Sequence, residues 1–267
     1  MKKAKIQDKY EKKILKKLSG KAKAVAKFIF QDKEIIALQD IANVVSIKRL
    51  GFNDHGPVHM LKAANNAMRM FELLQKANIK MNMVKEGLGN TEDSKIAVLI
   101  ASLLHDIGMS VTRDNHEMIS LVKAEPIINR ILEYIYDDDL NKKLVMKTFI
   151  EEGIIGHMGT QKIHSLEAGF VLIGDGCDME KGRARIPILL STSPRRGDIH
   201  KYSSRSINKV KIEAGDDKPI KIVVKMSHSI GVFQLEEVLY PKIASSPVKP
   251  YVELYGNVAG KENLQYF

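Results

Sequence analysis

The apolar run Ala97-Val98-Leu99-Ile100-Ala101-Ser102-Leu103-Leu104 stops at His105-Asp106 and is followed by Ile107-Gly108. A run of that length belongs in a core, and it delivers an imidazole and a carboxylate to the core's edge. A buried carboxylate is costly unless it is paired or bound to a cation. Any fold this chain adopts must supply a partner for His105-Asp106, and a metal ion is the simplest one. Other ligand-type side chains border apolar stretches elsewhere. Upstream stands Asp54-His55-Gly56-Pro57-Val58-His59; downstream come His116, Ile154-Ile155-Gly156-His157 and Asp175-Gly176-Cys177-Asp178. Helical scaffolds collect metal ligands in this way, from several elements distant in sequence.

Up to about residue 190 the apolar periodicity is helical. Residues 57–77 carry a continuous stripe of Val58, Leu61, Ala64, Ala67, Met68, Phe71 and Leu74, with His59 beside it at the start. Asp54 is the expected N-cap, and Pro57 is tolerable in a first turn. The polar, glycine-bearing stretch 82–92 reads as a loop, and 93–105 as the core helix. Further helices are expected over 116–135, 140–152 and 166–178. Near residue 195 the texture changes at the turn-rich Ser193-Pro194-Arg195-Arg196-Gly197-Asp198. Beyond it, 210–213 and 220–226 read as strands around the hairpin loop Gly215-Asp216-Asp217-Lys218-Pro219. A helix over 233–244 and a last strand over 251–255 follow. The expected organisation is a helical unit, 1–195, and a small α+β unit of ββαβ order, 196–267. The tail 262–267 has no pattern and reads as frayed.

Charge and composition narrow the function classes. The formal charge is +10, and residues 1–23 alone hold ten lysines against Asp8 and Glu11, a net +8. Ile6, Tyr10, Ile14, Leu18 and Val25 recur among them, so 1–30 reads as a basic amphipathic helix. Without arginine enrichment or interleaved aromatics, a solvated face is favoured over a nucleic-acid surface. No apolar run approaches the roughly 20 residues that a membrane helix needs. The opening Met1-Lys2-Lys3 has no apolar core behind it, so no secretory signal is expected. The single cysteine, Cys177, cannot form an intrachain disulfide and reads as a packed thiol, which fits the cytoplasm.

The ordered set His59, His105-Asp106, His116, His157 and Asp175 resembles the HD-domain superfamily of metal-dependent phosphohydrolases. The phrase Ala101-Ser102-Leu103-Leu104-His105-Asp106-Ile107-Gly108 is similar to the end of that family's core helix, and the resemblance covers roughly residues 50 to 190. It implies a mainly α fold, an HD-type helical bundle, here with the small C-terminal α+β unit appended. It implies that His59, His105, Asp106 and Asp175 hold a divalent ion, with His116 and His157 available for a second that Asp106 bridges. Nitrogen and oxygen ligands suit Mn, Fe, Co, Ni, Zn or Mg, so the identity and number of ions, one or two, stay open. The implied activity is hydrolysis of a small phosphoester, a nucleotide or other phosphorylated metabolite, by a metal-activated water. Asp106 and His116 are the catalytic candidates, with Glu117 the alternative proton donor. Lys62, Lys181, Arg183 and Arg185 are the candidate phosphate cations. His55 shares a helix face with His59 and is expected beside the ligands or the substrate.

Departures from the family pattern limit the transfer of substrate. Ile107-Gly108-Met109-Ser110 follows the His-Asp pair, where several hydrolase branches place Lys or Glu. The Gly-Tyr-Pro motif of the cyclic-dinucleotide branch is missing, and no Glu-Asp pair like that of the alarmone branch follows His105-Asp106. Two other readings compete: a catalytically silent HD domain that senses a ligand or partner, and a di-iron oxygenase. A homo-oligomer is compatible with all three.

Overall fold

The computed structural model describes residues 2–181, 199–261 and 263–267. The join near residue 195, and with it Arg183 and Arg185, lies outside the described residues. The first part is helical: α1 (Lys2–Leu15), α2 (Gly20–Gln31), α3 (Lys33–Val44), α4 (Pro57–Lys76), α5 (Asn82–Lys85), α6 (Thr91–Leu104), α7 (His116–Tyr136), α8 (Leu140–Gly156) and α9 (Leu166–Gly176). The second part runs α10 (Ile199–Ser206), β1 (Ile207–Glu213), β2 (Ile220–Met226), α11 (Gly231–Gln234), α12 (Tyr240–Ala244), β3 (Val252–Val258) and β4 (Asn263–Gln265). A π turn, Leu235–Leu239, joins α11 to α12.

Helices α4, α6, α8 and α9 pack on one another at the centre, with α1, α2 and α7 around them. The apolar run of α6 accounts for its place: Ile96, Leu99, Ile100, Leu103 and Leu104 are fully buried, each stabilising by about 2 kcal/mol. Asn90 and Asp93 close a capping box at its start, which satisfies backbone donors that would otherwise be left bare. Gly174 lets α9 lie close on α4; a Cβ there would sit 2.8 Å from the Ala63 carbonyl oxygen. One continuous apolar core then runs from Ile14 in α1 to Val258 in β3.

The sheet has the order β1-β2-β3-β4. β1 pairs antiparallel with β2, Val210 opposite Val224. β2 and β3 run parallel, Ile222 opposite Leu254, and this geometry needs a crossover, which 231–251 supplies. β1 and β2 touch α4, while α12 touches α9.

Several boundaries differ from the sequence expectation. The basic N-terminal segment is two helices rather than one, because Gly20 takes a left-handed φ of +51° and a Cβ there would meet Glu92. Gly56 rather than Asp54 caps α4; the Asp54 carboxylate accepts the Gly56 N–H in a local turn. The expected loop 82–92 contains the turn α5, and α6 begins at Thr91. α8 continues to Gly156, one turn past the expected end. The tail is not frayed: β4 pairs antiparallel with β3, Gly256 opposite Leu264.

Candidate metal centre

Seven acidic and imidazole side chains meet where helix ends converge. His59 comes from the first turn of α4, His105 caps α6, and Asp106 follows it. His116 opens α7, His157 caps α8, Asp175 lies in the last turn of α9, and Asp178 stands just beyond. All are buried, the most exposed being Asp175 at 6 %. Gly108 makes the close approach of α7 feasible. A Cβ on it would fall 2.1 Å from the His116 carbonyl oxygen and 2.4 Å from the Ser120 nitrogen. Asn115, left-handed at φ +53°, turns the chain so that His116 enters the centre; asparagine tolerates that region better than most residues.

The second ring nitrogen of each histidine fixes its tautomer. Nδ1 of His105 lies 2.9 Å from the Ser102 carbonyl oxygen, Nδ1 of His116 2.9 Å from that of Arg113, and Nδ1 of His157 2.7 Å from that of Ile154. A carbonyl oxygen only accepts, so each Nδ1 carries the proton. His59 Nδ1 does the same toward the Asp178 carboxylate at 2.9 Å. All four Nε2 atoms therefore present bare lone pairs to the interior, an arrangement that orients imidazoles for a metal.

Those lone pairs face one another and the carboxylates. Nε2 of His59 is 3.2 Å from Nε2 of His105, and Nε2 of His116 is 3.1 Å from Nε2 of His157. Asp106 reaches both pairs. Its Oδ2 is 3.1 Å from His59 and 3.4 Å from His105; its Oδ1 is 3.1 Å from His116 and 3.3 Å from His157. Asp175 Oδ1 joins the first pair, 3.1 Å from His59. Acceptor facing acceptor at such separations is repulsive, and Asp106 Oδ2 is buried without a hydrogen bond. A cation resolves both facts. Ligands about 2.1 Å from one ion lie roughly 3.0–3.4 Å apart when adjacent, the spacing observed within each pair. The buried cluster His59, His105, Asp106, Asp175 and His157 can thus hold a metal ion.

Protonation agrees with ligation. Burial alone would raise the Asp106 carboxyl, but the neighbouring His105 and His55 imidazoles hold it well below the usual carboxylate range. Burial pushes the His157 imidazole down to about 4 against the pull of Asp106. Metal ligands must be deprotonated, the direction in which Asp106 and His157 are both shifted.

The metal-ligand set expected from the sequence is therefore brought together whole. The substrate set fares less uniformly. His55 stacks edge-on against His59 with ring centres 5.7 Å apart, and its Nδ1 lies 2.7 Å from both Ser46 Oγ and the Asn53 carbonyl oxygen. It braces the start of α4. Lys62 donates to Asp178 Oδ1 at 2.8 Å, on the far side of that carboxylate from His59. Lys181 donates to Asn208 at the start of β1 and has no contact with the ligand cluster among the described residues. His116 loses its part as proton donor. Nδ1 is committed to a carbonyl and Nε2 points at Asp106, so no imidazole proton is left for a leaving group.

Two groups were missed from the site by the sequence reading. Asp178 fixes the His59 tautomer; its spacing of three from Asp175 was the available signal. Lys242 of α12 donates to Asp175 Oδ2 and, at 2.7 Å, to the His157 carbonyl oxygen. Nothing local to Lys242 marks it.

No protein-family model matches the chain, and no solved structure matches it. It is similar to Uncharacterized protein MJ1020 of Methanocaldococcus jannaschii, 38 % identical over 244 residues that cover 91 % of this chain and 92 % of the relative.

Proposed function

The chain belongs to one family with that Methanocaldococcus jannaschii protein, and from the geometry of its own site we propose that it is a metal-dependent phosphohydrolase of the HD type, acting on a nucleotide or another small phosphoester. One observation carries the reading: Asp106 offers one carboxylate oxygen to each of two imidazole pairs whose bare Nε2 atoms converge on it. His59, His105, Asp106 and Asp175 would hold a first divalent ion, and Asp106, His116 and His157 a second. Bound there, such ions supply Lewis acidity and an acidified water, the two requirements of phosphate hydrolysis near neutral pH.

The chain's own residues prepare that chemistry. Asp178 holds His59 in the ligating tautomer, and Lys62 keeps Asp178 ionised; burial would lower the Lys62 ammonium, but the Asp178 charge and hydrogen bond raise it above the usual lysine range. Lys242 neutralises the outer oxygen of Asp175 and leaves the inner one for the ion. Glu117, next to His116 and accepting from Thr160 Oγ1 at 3.2 Å, takes the proton-delivery role that His116 cannot fill.

The test is a screen of nucleotides and generic phosphoesters with Mn, Co, Ni, Zn, Fe and Mg. Metal-dependent release of phosphate is expected, lost in the His105→Ala/Asp106→Ala double variant. Turnover that survives both substitutions, or no turnover with any metal and substrate, sinks the reading.

A further inference from the structure

A cavity of about 450 Å³ opens between α1, α4 and β1. Its wall on α4 is the row Lys62, Asn65 and Arg69, spaced three and four residues apart and so on one helix face. Lys13 faces it from α1, and Lys209 and Lys211 face it from β1, two positions that share one side of the strand. Lys17 completes the cationic lining.

The charges inside are unbalanced. Glu72 is shared by Lys17 at 3.4 Å and Arg69 at 3.7 Å, and Asp178 is taken by Lys62. Glu180 accepts the Val210 N–H at 3.1 Å and Glu213 also lines the space, so six cations face four carboxylates. Among the described residues no carboxylate lies within ion-pair distance of Lys13, Lys209 or Lys211. Lys13 is held below the usual lysine range, first by the partial burial of its ammonium and then by the charges of Lys17, Lys209 and Lys9. Like charges gathered around an open space destabilise the fold unless an anion enters.

The site also has its own location. Its floor is the Lys62–Asp178 pair, and Asp178 touches Nδ1 of His59, whereas the metal ligands gather at Nε2.

We infer that the α1–α4–β1 cavity is a binding site, separate from the metal centre, for a small organic compound that carries two or more phosphates. The lysines and Arg69 take the phosphates. Cavities of this size suit ligands of nucleotide dimensions.

The experiment is calorimetric titration of the full chain, near physiological salt, with a methylene-bridged ATP analogue, fructose 1,6-bisphosphate and inorganic tripolyphosphate. Saturable binding of at least one of the two organic phosphates is expected, with tripolyphosphate reading the contribution of the phosphates alone. Lys13→Gln/Lys209→Gln changes two exposed positions and should weaken that binding at least fivefold; Asp106→Asn should alter it less than twofold. Absence of saturable binding by both organic phosphates, or a smaller effect of the lysine changes, overturns the assignment. So does a loss of binding in Asp106→Asn, which would place the ligand at the metal centre.

Discussion

Four imidazoles that each spend Nδ1 on a fixed acceptor have only Nε2 left to offer, and that restriction governs the centre. Asp178 does for His59 what backbone carbonyls do for the other three. A carboxylate can be removed by substitution and a carbonyl cannot, so Asp178→Asn is the informative change. It should weaken metal binding about 10- to 100-fold, the usual cost of an outer partner of a ligating histidine, with the fold intact; competition with a metal chelator measures it. The ligands were legible in the sequence because each ends or opens an apolar helix, where a polar side chain needs a reason. Lys242 was not legible. It lies 67 residues from Asp175, and a lone lysine on an amphipathic stretch looks the same whether it meets water or a carboxylate. The exclusion of His116 as proton donor was equally beyond the sequence, since it depends on which ring nitrogen faces the Arg113 carbonyl.

At the level of elements, the centre exists because helix ends are brought within bonding reach, and glycines set how close they come. Gly108→Ala should be severe. Its Cβ would press on backbone atoms of α7 rather than on a movable side chain, so a loss of about 3 kcal/mol or more is expected, with His116 displaced and the second ion lost. Gly87→Ala is the control. It is left-handed at φ +71° but has nothing within 4 Å of its Cβ position, and it should cost only about 1–2 kcal/mol. Chemical denaturation of both variants makes the comparison. The period of the apolar residues gave α4, α6, α7 and α9 to within a turn or so. β4 escaped because its three residues are exposed and carry no alternation; only the neighbouring edge of β3 makes them a strand. The break between α1 and α2 escaped because Ile14, Leu18 and Val25 stay near helical phase across it, and Gly20 alone marked it.

For the whole molecule, the second part of the chain is joined to the metal centre through Lys242, which reaches α9 and the end of α8 from the β2–β3 crossover. Both members of its pair with Asp175 are about nine-tenths buried, and removing one partner of such a pair costs about 3–5 kcal/mol. Lys242→Met should therefore lower stability on that order in the metal-free protein, read from its unfolding free energy. Acid should act through the centre as well. The folded His157 imidazole titrates at about 4 instead of 6.5, so between those values the unfolded chain binds the extra proton. Its contribution to stability is complete above pH 6.5 and is lost as pH falls toward 4. It amounts to roughly 3 kcal/mol at 1.36 kcal/mol per unit. Thermal melts of the metal-free protein across that window check this, with His157→Gln expected to flatten the slope. No described helix is long and apolar enough to cross a membrane, in line with the sequence.

The most direct measurement is anomalous diffraction from crystals grown with Mn²⁺, recorded with wild-type protein and with Asp106→Ala. Two peaks are expected in the wild type, one among His59, His105, Asp106 and Asp175 and the other among Asp106, His116 and His157, and both should vanish or fade together in the variant. A wild-type map with no peak at either position, or with its peaks away from Asp106, would contradict the account.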